Sequence, residues 1–244
     1  MTAKKTPPLV IAHRGASGER PENTLGAFER AIEMRADMIE TDLHLTRDGV
    51  VVIHHDASLS RLGAKGEIRD RTAAELASLD AGLGKGPVER IPSLLDLLVR
   101  FGDRIEWNLE LKVGESAPYE GIEARVLAEV EARGLLPRML FSCFEDPVLE
   151  RVRQASPEAR IAVLVSARKS ARVLERAARV GAEALNPHIS LVDRAFVASA
   201  HGAGLKVYPY TANEQGEMVR LLECGVDGII TNFPDRLRAL VDGR

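Results

Sequence analysis

Residues 138–165, RMLFSCFEDPVLERVRQASPEARIAVLV, contain the repeating unit that decides the fold. The short apolar runs 138–142 and 160–165 predict buried strands, and residues 146–155 between them predict a helix. Two strands joined by a helix pair in parallel through a right-handed crossover. The segment therefore predicts one unit of an α/β protein.

The same unit repeats along most of the chain. Eight strands that alternate with helices are predicted to begin at residues 9, 38, 105, 138, 160, 183, 205 and 227. Eight such units in 244 residues predict a single α/β domain over residues 1–244, folded as a (β/α)8 barrel. An open doubly wound sheet is the alternative, but no G-x-G-x-x-G loop follows the first strand.

One region interrupts the repeat after the second strand. Residues 46–49 (TRDG) are a turn signal, which predicts that residues 50–55 fold back as a hairpin on the strand at 38–45. The pattern then breaks down from about 57 to 92, where five glycines, the last of them Gly86, surround one short predicted helix. These residues predict a small insertion in the barrel.

The composition excludes several classes of function. The net charge of −3 and the aromatic content of 4% give no basis for binding nucleic acid or an anionic membrane. No apolar run could span a bilayer, residues 1–8 lack the apolar segment of a signal peptide, and Cys143 and Cys224 have no metal-type spacing. We therefore expect a cytoplasmic protein with reduced thiols that acts on a small molecule, and leave a homo-oligomer open.

Two carboxylates lie two residues apart in the predicted strand 38–45. Side chains at positions i and i+2 of a strand point to the same face, so Glu40 and Asp42 converge on one place. Burying two unpaired carboxylates is costly, and a divalent cation removes that cost because it prefers oxygen ligands. The outward polar face of an edge strand is the alternative.

Further polar groups lie at or near the ends of other predicted strands. Glu110 and Lys112 share one face of the strand at 105–112, His13 and Arg14 follow the first strand, and His55 follows the hairpin. In a (β/α)8 barrel the chemistry lies at the C-terminal ends of the strands. We therefore expect these side chains to meet at one mouth.

Together these groups favour metal-assisted cleavage of a phosphodiester. Three carboxylates can hold one hard cation, two basic side chains suit an anionic group, and two histidines can exchange protons near neutral pH. No lysine stands alone in an apolar strand to form a Schiff base. Glycoside hydrolysis would leave the histidines and the basic pair unused.

Several neighbouring polar residues receive structural interpretations. Alternation directs His54 away from the mouth, whereas His44 either lines the hairpin or is a further ligand. Glu22 and Asn23 are interpreted as a loop residue and a helix N-cap, with the alternative that Glu22 orients a nearby arginine. His201 is expected to lie on a helix without a partner.

The chain also resembles the short, cytosolic bacterial type of the glycerophosphodiester phosphodiesterase family. Its motifs appear in order from residue 13 to 234: His13-Arg14-Gly15, Pro21-Glu22-Asn23-Thr24, Glu40-Thr41-Asp42, His55-Asp56, Leu59-Ser60-Arg61, Ile91-Pro92-Ser93-Leu94, Asn108-Leu109-Glu110-Leu111-Lys112, Phe141-Ser142-Cys143-Phe144 and Gly225-Val226-Asp227-Gly228-Ile229-Ile230-Thr231-Asn232-Phe233-Pro234. Any one triplet is weak evidence, but the ordered series is specific.

The resemblance implies a TIM barrel that hydrolyses glycerophosphodiesters such as glycerophosphocholine or glycerophosphoethanolamine to glycerol 3-phosphate and an alcohol. It implies one divalent ion, Mg²⁺ or Ca²⁺, an acid/base pair of histidines and two phosphate contacts. The resemblance assigns Glu40, Asp42 and Glu110 to binding of the ion, and His13 and His55 to proton transfer. It assigns Arg14 and Lys112 to binding of the phosphate.

Two positions depart from the family pattern. Leu62-Gly63 replaces the usual Thr-Thr pair, and Tyr210-Thr211 replaces the usual Trp-Thr. We assign Tyr210 to binding the alcohol side of the substrate. The two departures therefore affect which headgroup is preferred and leave the type of reaction unchanged. The alternatives are a lysophospholipase D-type enzyme, which the short and weakly apolar insertion disfavours, and a non-catalytic phosphate-binding barrel, which the complete set of acids and histidines disfavours.

Overall fold

The computed structural model describes residues 7–84 and 87–243. The expectations for residues 1–6 and for Gly86 lie outside this range. Within it, one sheet contains all of the strands. They are β1 (Leu9–His13), β2 (Met38–Leu45), β3 (Val51–Ile53), β4 (Glu106–Leu111), β5 (Met139–Cys143), β6 (Arg160–Val165), β7 (Ala184–Pro187), β8 (Lys206–Val207) and β9 (Gly228–Thr231).

Eight of these strands form the barrel wall in the order β8-β7-β6-β5-β4-β2-β1-β9, and every neighbouring pair is parallel. The two ends of this order approach each other through backbone hydrogen bonds. Asp227 N donates to Val207 O over 3.1 Å, and Ile230 N donates to Pro209 O over 2.9 Å. The protein is therefore a nearly closed (β/α)8 barrel, as predicted, and the open doubly wound alternative is wrong.

Helices connect the parallel strands and surround the wall. They are α1 (Leu25–Glu33), α2 (Ala73–Leu76), α3 (Leu94–Phe101), α4 (Ile122–Glu131), α5 (Asp146–Ala155), α6 (Val173–Val180), α7 (Arg194–Gly202), α8 (Gln215–Cys224) and α9 (Pro234–Val241). None of the described helices has the length and apolar character needed to cross a membrane.

Side-chain caps determine where the first barrel helices begin. The Thr24 hydroxyl accepts a hydrogen bond from Ala27 N at the start of α1. Ser93 and Asp96 form a reciprocal capping box at the start of α3. Both caps satisfy backbone N–H groups that have no partner inside the helix. The predicted starts of these helices agree with the structure to within one or two residues.

The insertion after β2 begins with the predicted hairpin. Strand β3 pairs antiparallel with β2, with Leu45 opposite Val51, and Gly49 in the turn has a φ of +76°. Two short 3₁₀ turns and α2 follow. Residues of this region pack around a small apolar cluster of their own: Val52, Leu59, Ile68, Leu76 and Ile91.

Two further apolar clusters stabilise the barrel. The larger lies between the sheet and the helices, where the Phe28 ring packs edge-on against Trp107 and Phe101 at centroid distances of 5.1 and 6.3 Å. The smaller fills the barrel interior and consists of Ile11, Met38, Leu140, Ala162, Ala184, Tyr208 and Ile230. Polar side chains occupy the interior beyond this cluster, towards the C-terminal ends of the strands.

Candidate active site

Three carboxylates meet at the C-terminal end of the barrel. Glu40 and Asp42 extend from β2 and Glu110 from β4, and the sheet register places Asp42 opposite Glu110. One carboxylate oxygen from each lies within 4.8 Å of the other two, and all three residues are buried. The structure therefore brings together the acids predicted from their shared strand faces.

The acids affect one another electrostatically. Burial, with the nearby charges of Asp42 and Glu110, raises the pKa of Glu40 well above its usual range. Burial also raises the pKa of Glu110, and the Asp42 charge adds to the rise. Burial acts in the same sense on Asp42, but Lys112 and Arg14 hold the pKa of that carboxyl well below its usual value. Asp42 is thus the charged centre of the cluster.

Two cations neutralise part of this charge. Lys112 Nζ lies 3.0 Å from Glu110 Oε1 and 3.3 Å from Asp42 Oδ1. Arg14 Nε lies 3.1 Å from Asp42 Oδ2, while Arg14 Nη1 donates to Glu22 Oε2 over 2.9 Å. The interpretation of Glu22 as the residue that orients an arginine agrees with this contact.

The two histidines enter the site from different elements, each with its Nδ1 engaged. His13 at the end of β1 donates from Nδ1 to the amide oxygen of Asn232 over 2.6 Å, which leaves Nε2 3.9 Å from Glu40 Oε2. Burial and the Arg14 charge lower the pKa of His13 to about 4. His55 follows β3, and its Nδ1 lies 2.7 Å from Asp56 Oδ1. Burial lowers the pKa of His55 as well.

Seven of the eight predicted site residues line one cavity of about 110 Å³. The cavity walls are formed by His13, Arg14, Glu40, His55, Glu110, Lys112, Phe144, Leu164, Tyr210 and Ile230. The eighth residue, Asp42, is fully buried and contacts Arg14 and Lys112. Tyr210 contributes an aromatic wall, because its ring packs edge-on against Phe144 at a centroid distance of 6.1 Å.

Some contacts correct the sequence interpretations. Asn23 is not the N-cap of α1, a role that Thr24 takes; its amide instead donates to Asp42 Oδ2 over 2.8 Å. His44 is held through both ring nitrogens, by the Tyr119 hydroxyl and a backbone carbonyl, so neither nitrogen is available to a metal. His201 does have a partner, since its Nε2 lies 2.8 Å from Asp227 Oδ2.

A series of ion pairs joins the insertion to the active site. These ion pairs were not predicted from the sequence. Arg61 Nη1 lies 3.0 Å from Asp56 Oδ2 and 2.9 Å from Glu22 Oε1. Glu22 pairs in turn with Arg14, so the series runs from His55 to Arg14. Asp56 and Arg61 belong to motifs beside His55, and that proximity was the available signal.

The fold and this cavity define a barrel enzyme equipped for phosphate-ester chemistry. Residues 13–236 match the model of the glycerophosphoryl diester phosphodiesterase family. The chain is 36% identical to the glycerophosphodiester phosphodiesterase of Caldanaerobacter subterraneus subsp. tengcongensis, over 96% of this chain and 97% of the relative.

Solved structures show the same relationship. A crystal structure from Silicibacter pomeroyi superimposes with a TM-score of 0.90 at 28% identity, covering 99% of this chain and 95% of that one. The phosphodiesterase of Oleispira antarctica, solved in complex with its product sn-glycerol-3-phosphate, superimposes with a TM-score of 0.83 at 34% identity and 97% coverage of each chain. The chain belongs to the glycerophosphoryl diester phosphodiesterase family and is an enzyme of that class, a phosphoric diester hydrolase.

Proposed function

We propose that the protein hydrolyses water-soluble glycerophosphodiesters, such as glycerophosphocholine or glycerophosphoethanolamine, to glycerol 3-phosphate and an alcohol. The observation that carries this proposal is the single cavity that contains carboxylates, basic side chains and two histidines. The product sn-glycerol-3-phosphate bound to the Oleispira antarctica enzyme supports the same reaction.

The acids Glu40, Asp42 and Glu110 would hold one divalent cation, Mg²⁺ or Ca²⁺. The donor set fits such an ion: it is made only of oxygen, it is buried, and its oxygens lie within 4.8 Å of one another. A cation between them would also offset the burial and the nearby negative charge that raise the pKa of Glu40 and Glu110. When bound, it stabilises negative charge on the phosphoryl group and on the attacking oxygen.

Arg14 and Lys112 would bind the phosphate. Both side chains line the cavity, and each already pairs with Asp42, which fixes its position. Their N–H groups would donate to the non-bridging phosphoryl oxygens and favour the charge that develops there.

His13 and His55 would divide the proton transfer. Its lowered pKa leaves His13 neutral near pH 7, which suits a general base that removes the proton from the nucleophile, a water or a neighbouring glycerol hydroxyl. A new P–O bond forms as the P–O bond to the alcohol breaks; where the glycerol hydroxyl attacks, a water then opens the cyclic phosphate to give glycerol 3-phosphate. His55 in its imidazolium form, with Nδ1–H donated to Asp56, would deliver its Nε2 proton to the leaving alkoxide.

The leaving alcohol would occupy the side of the cavity near Tyr210 and Phe144. From there a groove of about 320 Å³ continues past Glu110 and Lys112 to Glu145 and Lys169, which form an ion pair across it. Glu145 and Lys169 place opposite charges on this part of the groove wall, which suits a small hydrophilic headgroup.

A substrate panel tests the proposal. Glycerophosphocholine, glycerophosphoethanolamine, a lysophosphatidylcholine and an aryl phosphodiester would be compared by kcat/KM, each with Mg²⁺, Ca²⁺, Mn²⁺ or EDTA. We expect the soluble diesters to be preferred, glycerol 3-phosphate to be released and EDTA to abolish turnover. A higher kcat/KM for lysophosphatidylcholine would instead identify a lysophospholipase D-type enzyme, and binding without turnover would identify a phosphate-binding barrel.

A further inference from the structure

Three polar side chains lie inside the barrel below the acids. Asn108 on β4, Ser142 on β5 and Asn186 on β7 are each 0% exposed. Among the described residues, none of their side-chain polar atoms has a hydrogen-bond partner: both amide atoms of Asn108, both of Asn186, and Ser142 Oγ. None of these five atoms takes part in the contacts of the active site.

The pairing of the strands and the alternation of side chains along each strand place these three side chains close together. Asn108 lies opposite Glu40 and Ser142 lies opposite Glu110 in the parallel pairing. Side chains two residues apart on a strand share a face, so Asn108 points inward like Glu110. All three therefore face the barrel interior.

The same periodicity fixes their depth. Ser142 and Asn186 lie one step above Leu140 and Ala184, which belong to the apolar cluster inside the barrel. Ser142 and Asn186 thus lie between that cluster and the carboxylates, and Asn108 lies opposite the cluster member Leu140. Ala162, opposite both Ser142 and Ala184 in the sheet, presents only a methyl group to the same space.

The hydrogen-bond donors and acceptors of the three side chains determine what can fill the space between them. Buried amide and hydroxyl groups in proteins have hydrogen-bond partners, and where other protein groups do not provide them, ordered water does. Two amides and a hydroxyl offer both donors and acceptors, which matches water and does not match a simple anion or cation.

We propose that Asn108, Ser142 and Asn186 bind a closed cluster of ordered water, which hydrogen-bonds upward to the inner oxygens of Glu40 and Glu110. The three residues are then positioning residues. They hold the carboxylates through water, so that the outer oxygens stay directed at the cation. Groups that orient metal ligands in this way change cation affinity by about 10- to 100-fold when they are removed.

The first test is a high-resolution crystal structure of the wild-type protein. We expect ordered waters within hydrogen-bond distance of at least two of the three side chains and of one carboxylate. A dry interior, with Asn108 bonded directly to Asn186, would overturn the proposal.

The second test measures Mg²⁺ and Mn²⁺ affinity by calorimetry on metal-stripped protein. Asn186→Leu has nearly the shape of the native side chain but cannot hold water, and we expect a 10- to 100-fold loss of affinity. Asn186→Ser should retain most of the affinity. Val148→Ala is the control: it alters packing of α5 in the cluster between the sheet and the helices, so it should lower Tm and leave affinity unchanged.

Unchanged affinity in Asn186→Leu, or a loss equal to that of Val148→Ala, would contradict the positioning role. The inference rests on the proposed cation site, and the two can fail separately. A wild-type chain that binds no divalent ion would overturn the cation site, whereas the crystal structure tests the water cluster by itself.

Discussion

One carboxylate oxygen of Asp56 lies 2.7 Å from Nδ1 of the preceding residue, His55. A carboxylate only accepts hydrogen bonds, so Nδ1 of His55 carries a proton and Nε2 is left for the substrate. In the imidazolium form Nε2 carries a second proton, which it can donate. The other oxygen of Asp56 pairs with Arg61 of the insertion. The orientation of the histidine therefore depends on a segment outside the barrel wall.

Replacing Asp56 by asparagine should lower kcat by about 100-fold, within the range contributed by a positioned acid or base. The amide carries no charge, so it no longer stabilises the imidazolium form of His55 that donates the Nε2 proton. Steady-state kinetics with glycerophosphocholine would measure the loss, and KM should change little. Glu19→Gln, which removes only an exposed pair with Arg30, is the control and should retain the wild-type rate. A wild-type kcat in Asp56→Asn would contradict the proposed role of Asp56 in holding His55.

Substitution of each histidine should give a different pattern across substrates. His55→Ala should lose far more rate with glycerophosphocholine than with an activated aryl phosphodiester, because an aryl leaving group needs no proton. His13→Ala should lose rate about equally with both, since the nucleophile must be deprotonated in either case. The measurement is the ratio of kcat/KM values on the two substrates. The opposite pattern would exchange the roles of the two histidines.

Removing a carboxylate should abolish cation binding without unfolding the protein. In Glu110→Gln we expect a rate loss of several orders of magnitude, together with equal or higher Tm in EDTA because the remaining acids repel less. Calorimetry with Mg²⁺ and thermal unfolding check the two parts. Glu123→Gln breaks the pair between buried Glu123 and exposed Arg151, neither of which lines the cavity, so it should lower Tm and keep the cation. Full activity of Glu110→Gln in EDTA would refute the assignment.

The two cysteines should differ in reactivity. Burial raises the pKa of the Cys143 thiol to about 12, and thiolate is the reactive form, whereas Cys224 is only half-buried. At pH 8 a disulfide reagent should titrate one thiol in the native protein and two after denaturation. Cys224→Ser should eliminate the native reaction, and a fast reaction that survives in this variant would show that Cys143 is accessible.

The barrel could be predicted because strand and helix periodicities differ along the chain. The positions of the site residues followed from one rule, that a parallel barrel gathers the C-terminal ends of its strands. The strand predicted to begin at residue 205 is β8, which begins at Lys206 and ends at Val207, two residues before Pro209, which has no N–H to donate to the ladder.

Contacts between residues distant in sequence could not be predicted in this way. Asp56, Arg61 and Glu22 meet only after the insertion folds over the loop that follows β1, and no local pattern encodes that approach. His201 and Asp227 likewise meet across 26 positions of the chain. The cytoplasmic location, the single-domain organisation, the absence of nucleic-acid and membrane partners and the oligomeric state stay predictions.

The insertion has an apolar cluster of its own, separate from the two clusters of the barrel. A segment with its own core can open locally while the rest of a protein stays folded. Backbone amides around Leu59 and Ile68 should therefore exchange with deuterium sooner than those of the barrel strands. For the same reason, evolution can alter this segment while the strands that carry the acids stay intact.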